Sequence, residues 1–346
     1  MGLPIIPDQD DAFGRISALI EESRDIAICA HTSPDGDAIG SQLGLSQIIQ
    51  ARWPQKRLAN LLADDDPVPR IYGFLPGSEG LVPASAYQGS PDLFISVDLS
   101  VDHRLNKAEK VLARSARHVV FDHHPCEDDR SDASVIRPSA AACGCIITEY
   151  AHYLGVDLTP DMAQCLFCAV VTDTGRFQYQ NADPESFAVA SCLVDAGASP
   201  SEVSLHVYQS FSLAYLHLKS VVLGRISTFA GGRIAYSYAT MADLERTGAG
   251  LDECDGLIDV VRSVDGSEVA LFLKEIPGGK VRGNLRSKTA IDVSRVAQAL
   301  GGGGHKAAAG FAVEGDLDQV FASVLPRLQE LFGPVATDLD NTGSLS

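Results

Sequence analysis

Asp25-Ile26-Ala27-Ile28-Cys29-Ala30-His31-Thr32-Ser33-Pro34-Asp35-Gly36-Asp37 joins an apolar, β-prone run to a loop carrying a histidine and two aspartates. A short run of this kind, bounded by turn residues, reads as a buried strand. The arrangement recurs three times. Leu93–Val97 leads to Asp98, residues 118–121 (His-Val-Val-Phe) to Asp122-His123-His124, and residues 169–171 (Ala-Val-Val) to Thr172-Asp173-Thr174. In an α/β sheet the carboxyl ends of parallel strands line one edge, and ligands bind there. Four such edges would converge six oxygen and nitrogen donors on one spot.

Between these runs lie helix-like stretches at residues 12–22, 38–49 and 106–113, and further helices follow Ser139 and Pro160. The alternation predicts an α/β fold, a mainly parallel sheet with helices on both faces. From about Lys219 the pattern changes. β-like runs at 234–238, 269–275 and 280–286 mix with helices at 252–263, 291–300 and 318–331, which predicts a smaller second α/β domain. The expected division is a metal-binding catalytic domain over 1–195, a linker over 196–217, a substrate-binding domain over 218–334 and a flexible tail over 335–346. Ala196-Gly197-Ala198-Ser199-Pro200 marks the break, since Gly and Pro punctuate helices.

Composition narrows the classes. A chain of 346 residues with 45% hydrophobic and 21% charged residues buries real cores. No uncharged apolar stretch reaches the ~18 residues a membrane span needs, and the acidic N-terminus does not read as an export signal, so a cytoplasmic protein is expected. Cys143-Gly-Cys145 and Cys165-Leu-Phe-Cys168 lack regular knuckle spacing; the eight cysteines read as small buried hydrophobes in a reducing compartment. A net charge of −18 argues against long duplex nucleic acid, which needs a broad basic face. Most of that charge falls in residues 1–215, where 14 basic against 29 acidic residues leave −15. Two divalent cations would offset about four of those charges.

The clusters imply specific chemistry. Asp35 and Asp37 repel each other unless something cationic sits beside them; helix capping by Asp37 would account for that one residue only. A carboxylate such as Asp98 at the end of an apolar strand is costly without a partner. In Asp122-His123-His124 one imidazole can serve a metal and the other a substrate, while the aspartate fixes a ring tautomer. Oxygen and imidazole donors without thiolate suit Mn²⁺ or Mg²⁺, and the histidines favour Mn²⁺. A carboxylate shared by two such ions lets a bridging hydroxide attack phosphorus, the chemistry of two-metal phosphoesterases. Farther on, Gly301-Gly302-Gly303-Gly304-His305-Lys306-Ala307-Ala308-Ala309-Gly310 predicts exposed backbone N–H groups running into an Ala-rich helix, a cradle for phosphate. Lys280, Arg282, Arg286 and Lys288 alternate on a predicted strand and share a face suited to an anion. Phe177 and Tyr179 could stack a base, but core packing is the expectation for them.

Taken in order, HTSPDGDAIGS, VDLS, FDHHP, VTDTGRFQY and GGGGHKAAAG resemble the DHH phosphoesterase family with its DHH-associated C-terminal domain, over roughly residues 12–332. Within it the chain most resembles the stand-alone group acting on short oligoribonucleotides and 3′-phosphoadenosine 5′-phosphate (pAp), a match that DPVPRIYGFLPG extends. The resemblance implies two divalent metal ions, one held by His31, Asp35 and Asp98 and the other by Asp37, Asp98, His123 and Asp173. It implies a catalytic pair, His124 at the scissile phosphate or leaving oxygen with Asp122 in support. Arg286, Ser287, Gly303, Gly304 and His305 would bind the rest of the substrate. Asn284 stands where small Ser-like residues are common, which leaves its role open. The implied substrates are short RNA oligonucleotides (nanoRNA) and pAp, with pApA or cyclic di-AMP as the alternative. A pyrophosphatase or polyphosphatase, and a non-catalytic nucleotide-binding module, are the more distant readings. A homodimer is left open as the assembly.

Overall fold

The apolar runs at residues 25–30, 93–97 and 118–121 form the centre of a six-stranded parallel sheet: β1 (Asp25–Cys29), β2 (Arg57–Leu62), β3 (Val82–Pro83), β4 (Leu93–Val97), β5 (Arg117–Asp122) and β6 (Ala133–Ile136), in the order β3-β2-β1-β4-β5-β6. The computed structural model describes residues 10–126, 128–254 and 256–332, and the chain divides into two units, Met1–Ser210 and Phe211–Ser346. The expected tail at 335–346 lies outside the described residues.

In the first unit the strands alternate their side chains between two cores. Ile26, Ile28, Ile95, Val119 and Phe121 enter one, against α1 (Asp10–Glu22), α2 (Gly36–Arg52), α4 (Cys143–Tyr153), α5 (Pro160–Asp173) and α6 (Pro184–Asp195). Ala27, Cys29, Leu61 and Phe94 enter the other, with Leu105, Ala108 and Val111 of a 3₁₀ segment (Asp102–Ala108) and α3 (Glu109–Leu112). Every β4 residue is buried, as a parallel strand covered on both faces must be. Each fully buried Ile or Leu contributes about 1.5–3 kcal/mol of transfer free energy. The stretch expected as linker, 196–217, contains α7 (Pro200–Val203), and Val203 and Val207 pack into the first core.

This strand order reverses between β1 and β4, and ligand crevices of open parallel sheets form at that switch point, beyond the carboxyl ends. The loop after β1 begins at Ala30-His31, and Asp98 directly follows β4. Residues 169–171, expected as a strand, are instead the buried end of α5, and Asp173 is the last residue of that helix. The 106–113 helix resolves into the 3₁₀ segment and the short α3. Asp35, not Asp37, caps α2: its Oδ1 accepts from Asp37 N (3.0 Å) and Ala38 N (3.1 Å).

The second unit runs α8 (Leu213–Gly224), β7 (Ser227–Phe229), β8 (Ile234–Ala239), α9 (Met241–Thr247), α10 (Leu257–Arg262), β9 (Val269–Ile276), β10 (Lys280–Ser287), α11 (Ser294–Ala299), β11 (Gly303–His305), β12 (Ala308–Glu314) and α12 (Leu317–Glu330). Its sheet is ordered β11-β12-β10-β9-β8-β7, antiparallel except at β8–β9. The glycine-rich stretch does not lead into a helix. It forms β11, and the alanines enter β12, which pairs with β10 along its whole length. Tertiary pairing here overrides the helical propensity of alanine.

Candidate metal centre

The loop and helix N-terminus after β1, the ends of β4 and β5, and the C-terminus of α5 bring the six expected donors together. His31 Nε2 stands 3.3 Å from Asp98 Oδ2 and 4.0 Å from Asp35 Oδ1. His123 Nε2 faces Asp98 Oδ1 at 3.4 Å, Asp37 Oδ2 at 3.6 Å and Asp173 Oδ2 at 3.7 Å. Ligands about 2.0–2.2 Å from a shared cation stand roughly 3–4 Å from one another. The spacing therefore suits donors aimed at ions rather than at each other. Asp98 belongs to three clusters whose ligand atoms lie within 4.8 Å: His31–Asp35–Asp98, Asp37–Asp98–His123 and Asp98–Asp122–His124.

Five of the six donors are aimed by a second side-chain contact, as metal ligands generally are, and Asp98 is placed through its backbone. The His31 Nδ1–H donates to Thr32 O (2.8 Å) and the His123 Nδ1–H to Ala140 O (3.1 Å), which turns both Nε2 atoms toward the carboxylates. Asp37 is buried in the first turn of α2, and its carboxylate accepts from Cys143 N (2.7 Å), Gly144 N (3.0 Å) and Ser41 Oγ (2.7 Å). Because Ala142, the N-cap of α4, offers no side-chain bond, Asp37 caps that helix from a distance. Asp98 sits at φ +60°, a left-handed conformation uncommon outside glycine, with its N–H on Phe121 O (2.9 Å). Such backbone persists where the surroundings over-determine it, and it clusters at functional sites. Asn181, which the sequence reading passed over, donates through Nδ2 to Asp173 Oδ2 (3.3 Å), Asp173 O (3.1 Å) and Ala141 O (2.9 Å).

The charges are in tension. Burial, then the nearby Asp98, pushes the Asp37 carboxyl well above its usual range. Burial raises Asp173 to about 6, with His123 opposing and Asp35 and Asp98 adding. Burial acts on Asp98 too, but His123 and His31 outweigh it and hold the carboxyl well below normal. His123 is raised: burial lowers it, and the carboxylates of Asp173, Asp98 and Asp37 overcome that. Buried Asp98 Oδ1 and Asp122 Oδ2 have no hydrogen-bond partner among the described residues. A buried carboxylate oxygen left so is costly unless a cation completes it. The residues therefore fit a divalent metal pair in donor type, spacing and unmet charge.

Asp122 Oδ1 accepts from the backbone N–H groups of His123 (2.8 Å) and His124 (3.0 Å) and from His124 Nδ1 (2.8 Å). This fixes the His124 ring, which is less buried than His123. All eight cysteines are free thiols, Cys165 being pushed up to about 12 by burial, and none joins a metal-binding group among the described residues.

In the second unit, direct β-pairing places Arg286, Ala308 and His305 in one row and Asn284, Gly310 and Gly303 in the next. Opposed residues of paired strands project to the same face. The apolar cluster that includes α8 and α10 draws on β8 and β9 through Ala235, Ala239, Ala270 and Phe272. The Arg286 face beyond it has a floor of small residues. Arg286 Nε and Asn284 Oδ1 are buried there without a partner among the described residues. Ser287 departs from the expected set. It is buried on the other face, with its hydroxyl donating to Thr289 O (3.0 Å) and accepting from Thr289 N (3.2 Å). Gly304, within β11 at φ +130°, is a position where a methyl group would lie 2.5 Å from Ala308 O.

Comparison with known proteins identifies the family. The DHH family N-terminal domain matches residues 25–170, and the DHHA1 domain matches residues 231–333. The bifunctional oligoribonuclease and PAP phosphatase NrnA of Thermus thermophilus is 30% identical over 308 residues, 88% of this chain and 89% of that protein. The chain belongs to the DHH family. Another DHH relative, the bifunctional oligoribonuclease and PAP phosphatase NrnA of Bacillus subtilis, is 28% identical over 293 residues, 83% of this chain and 89% of that protein. An exopolyphosphatase-related protein from Bacteroides fragilis shares the fold at TM-score 0.85 and 23% identity, covering 94% of this chain and 98% of its own. RecJ of Thermus thermophilus in complex with Mn²⁺ aligns at TM-score 0.54 and 13% identity, over 95% of this chain and 55% of RecJ. Among the described residues of this DHH chain, no helix is long and apolar enough to cross a membrane.

Proposed function

We propose that this protein is a two-metal phosphoesterase that hydrolyses short oligoribonucleotides and pAp. The observation that carries the reading is the shared position of Asp98, which belongs to three donor clusters at the β1–β4 switch point. The activities named for the NrnA relatives supply the substrate class.

In this reading His31, Asp35 and Asp98 hold one divalent cation, and Asp37, Asp98, His123 and Asp173 hold the other. Mn²⁺ is the favoured ion, because imidazole joins the carboxylates. When bound, the cations supply Lewis-acid stabilisation of the phosphate charge and activation of water. The chain's own residues do the rest. Water attacks phosphorus and gives up a proton to solvent, the bond to the leaving oxygen breaks, and His124 delivers a proton to that oxygen from Nε2 and regains one from solvent. Asp122 holds the His124 ring in the tautomer and orientation this needs, through its bond to Nδ1. Arg286, His305 and the backbone at Gly303 and Gly304 bind the part of the substrate that does not react. Ser287 acts on that face only by holding the turn after Arg286. A nucleotide fits the small floor at Ala308 and Gly310, with Arg286 Nε and Asn284 Oδ1 as hydrogen-bonding groups. The free thiols support a reducing, cytoplasmic setting.

The test is a side-by-side measurement of kcat/KM on pAp, pApA and cyclic di-AMP with Mn²⁺. Release of phosphate from pAp and of mononucleotide from pApA is expected, with Asp122→Ala folded and at least about 100-fold slower. Preferential hydrolysis of cyclic di-AMP would reassign the substrate. No release from any of the three would contradict the enzymatic reading.

A further inference from the structure

Asp64 stands just beyond the carboxyl end of β2, in a run of three aspartates that reads as a turn. Its carboxylate is a hub. Oδ1 accepts from the Thr32 hydroxyl (2.8 Å) and Asn106 Nδ2 (2.6 Å); Oδ2 accepts from the Thr32 hydroxyl (2.7 Å) and Ser33 N (2.7 Å). Thr32 and Ser33 lie between His31 and Asp35, so Asp64 grips the loop midway between two expected ligands. A second tether joins Thr32 N to Arg104 O (2.8 Å), on the same 3₁₀ segment as Asn106. Ser33 sits at φ +52°, a conformation that costs a non-glycine residue about 1 kcal/mol or more unless its surroundings hold it. Burial raises the Asp64 carboxyl, but Ser33 N–H, Thr32, Asn106 and Lys107 outweigh it and keep the group below its ordinary range.

The opposite side of the centre is built from other parts. Asp37 is fixed by Cys143 N, Gly144 N and Ser41, His123 by Ala140 O, and Asp173 by Asn181. None of these bonds involves Asp64 or the 32–34 loop. The two halves share Asp98 and touch where Asp35 Oδ1 accepts from Asp37 N (3.0 Å), a backbone contact that leaves the Asp37 carboxylate to its own partners.

We propose that Asp64 is a positioning residue for one cation of the pair: it shapes the His31–Asp35 half of the centre, while the Asp37–His123–Asp173 half forms without it. The proposal rests on the two-cation reading above. Losing the hub frees the loop to leave the left-handed conformation at Ser33, and His31 and Asp35 lose their shared aim. Partners that orient metal ligands typically carry about 10–100-fold in affinity.

Mn²⁺ titration of the full chain by calorimetry, read together with electron paramagnetic resonance, tests this. The wild type should bind two Mn²⁺ and show a spin-coupled pair. Asp64→Ala should weaken one site by about 10–100-fold, leave the other within about twofold, and show an uncoupled Mn²⁺ at concentrations that fill both wild-type sites. Thr32→Val should move in the same direction. Asp65→Ala, an exposed neighbour bonded to Ser85 and Lys107, should bind as the wild type does. Equal weakening of both sites, or a wild-type titration for Asp64→Ala, would overturn the proposal. Should Asp64→Ala not fold, the same two results for Thr32→Val decide it. A wild type that binds fewer than two Mn²⁺ would overturn the two-cation reading itself, and the proposal with it.

Discussion

Gly36, Gly40 and Gly44 lie one turn apart on α2 along its contact with α5, and the closeness of that contact brings Asp173 to Asp37. A methyl group added at Gly40 would stand 2.3 Å from Cys165 O, 3.1 Å from Ala169 N and 3.2 Å from Ala169 Cβ. The first two are backbone atoms of α5 and cannot turn aside. At Gly44 an added methyl would instead meet Leu166 Cδ2 (2.7 Å) and Cγ (2.8 Å), which belong to a side chain with other rotamers. Alanine gains about 1 kcal/mol over glycine in a helix interior, while overpacking a rigid contact costs about 1–3 kcal/mol, occasionally more. Because the Gly40 clash is with a backbone atom at 2.3 Å, its cost lies in the upper part of that range, about 2–3 kcal/mol, so Gly40→Ala should lose roughly 1–2 kcal/mol net, and Gly44→Ala should stay near zero. For a unit of this size that loss lowers Tm by about 2–8 °C. Displacing α5 also carries Asp173 away from His123, so Mn²⁺ affinity should fall in Gly40→Ala and hold in Gly44→Ala. Urea unfolding and calorimetric Mn²⁺ titration measure both. A neutral or stabilised Gly40→Ala, or a Gly44→Ala that costs as much, would refute the packing argument.

Other consequences follow from the charges. Asp173 is raised to about 6 and His123 is raised as well. The folded, metal-free protein thus holds protons that the unfolded chain releases, so this site's contribution to stability falls as pH rises from about 4 to 6 and again through the raised His123 value. Cations compete with those protons, so the gain in Tm on adding Mn²⁺ should be larger at pH 8 than at pH 5; equal gains would show that the site titrates otherwise. Arg137 binds Glu149 Oε1 (2.8 Å) and Glu185 Oε1 (2.6 Å), with Glu149 raised by burial to about 7. Arg137→Ala leaves two carboxylates without their cation and should cost about 3–5 kcal/mol in urea unfolding; a loss below 1 kcal/mol would mean water already satisfies them.

Much of the centre was legible because its chemistry sits where apolar strands end. β1, β4 and β5 are covered on both faces, so each reads as an unbroken apolar run, and the first polar residues beyond it mark the edge. Asp173 stands beside His123, as expected, but on a helix rather than after a strand. Ala-Val-Val is as compatible with a buried helix as with a strand, and three residues hold no period to separate them. At Asp35 and Asp37 both residues were expected as ligands, but which one caps α2 depends on the loop's backbone path. The glycine-rich stretch misled through composition, since alanines that favour a helix alone form β12 when β10 offers a full antiparallel ladder. Asp64 and Asn181 were out of reach for a different reason. Their partners lie across the fold or around a turn of strained backbone, at Thr32 and Asp173, and no spacing along the chain announces such contacts.

The central claim is that Asp98 is shared by two cations. Anomalous diffraction at the manganese edge from crystals soaked in Mn²⁺ tests it directly. Two peaks roughly 3.5–4 Å apart are expected, one beside His31 and Asp35, the other beside Asp37, His123 and Asp173, with an Asp98 oxygen on each ion or bridging both. A single peak, or two peaks with Asp98 ligating neither, would contradict the account.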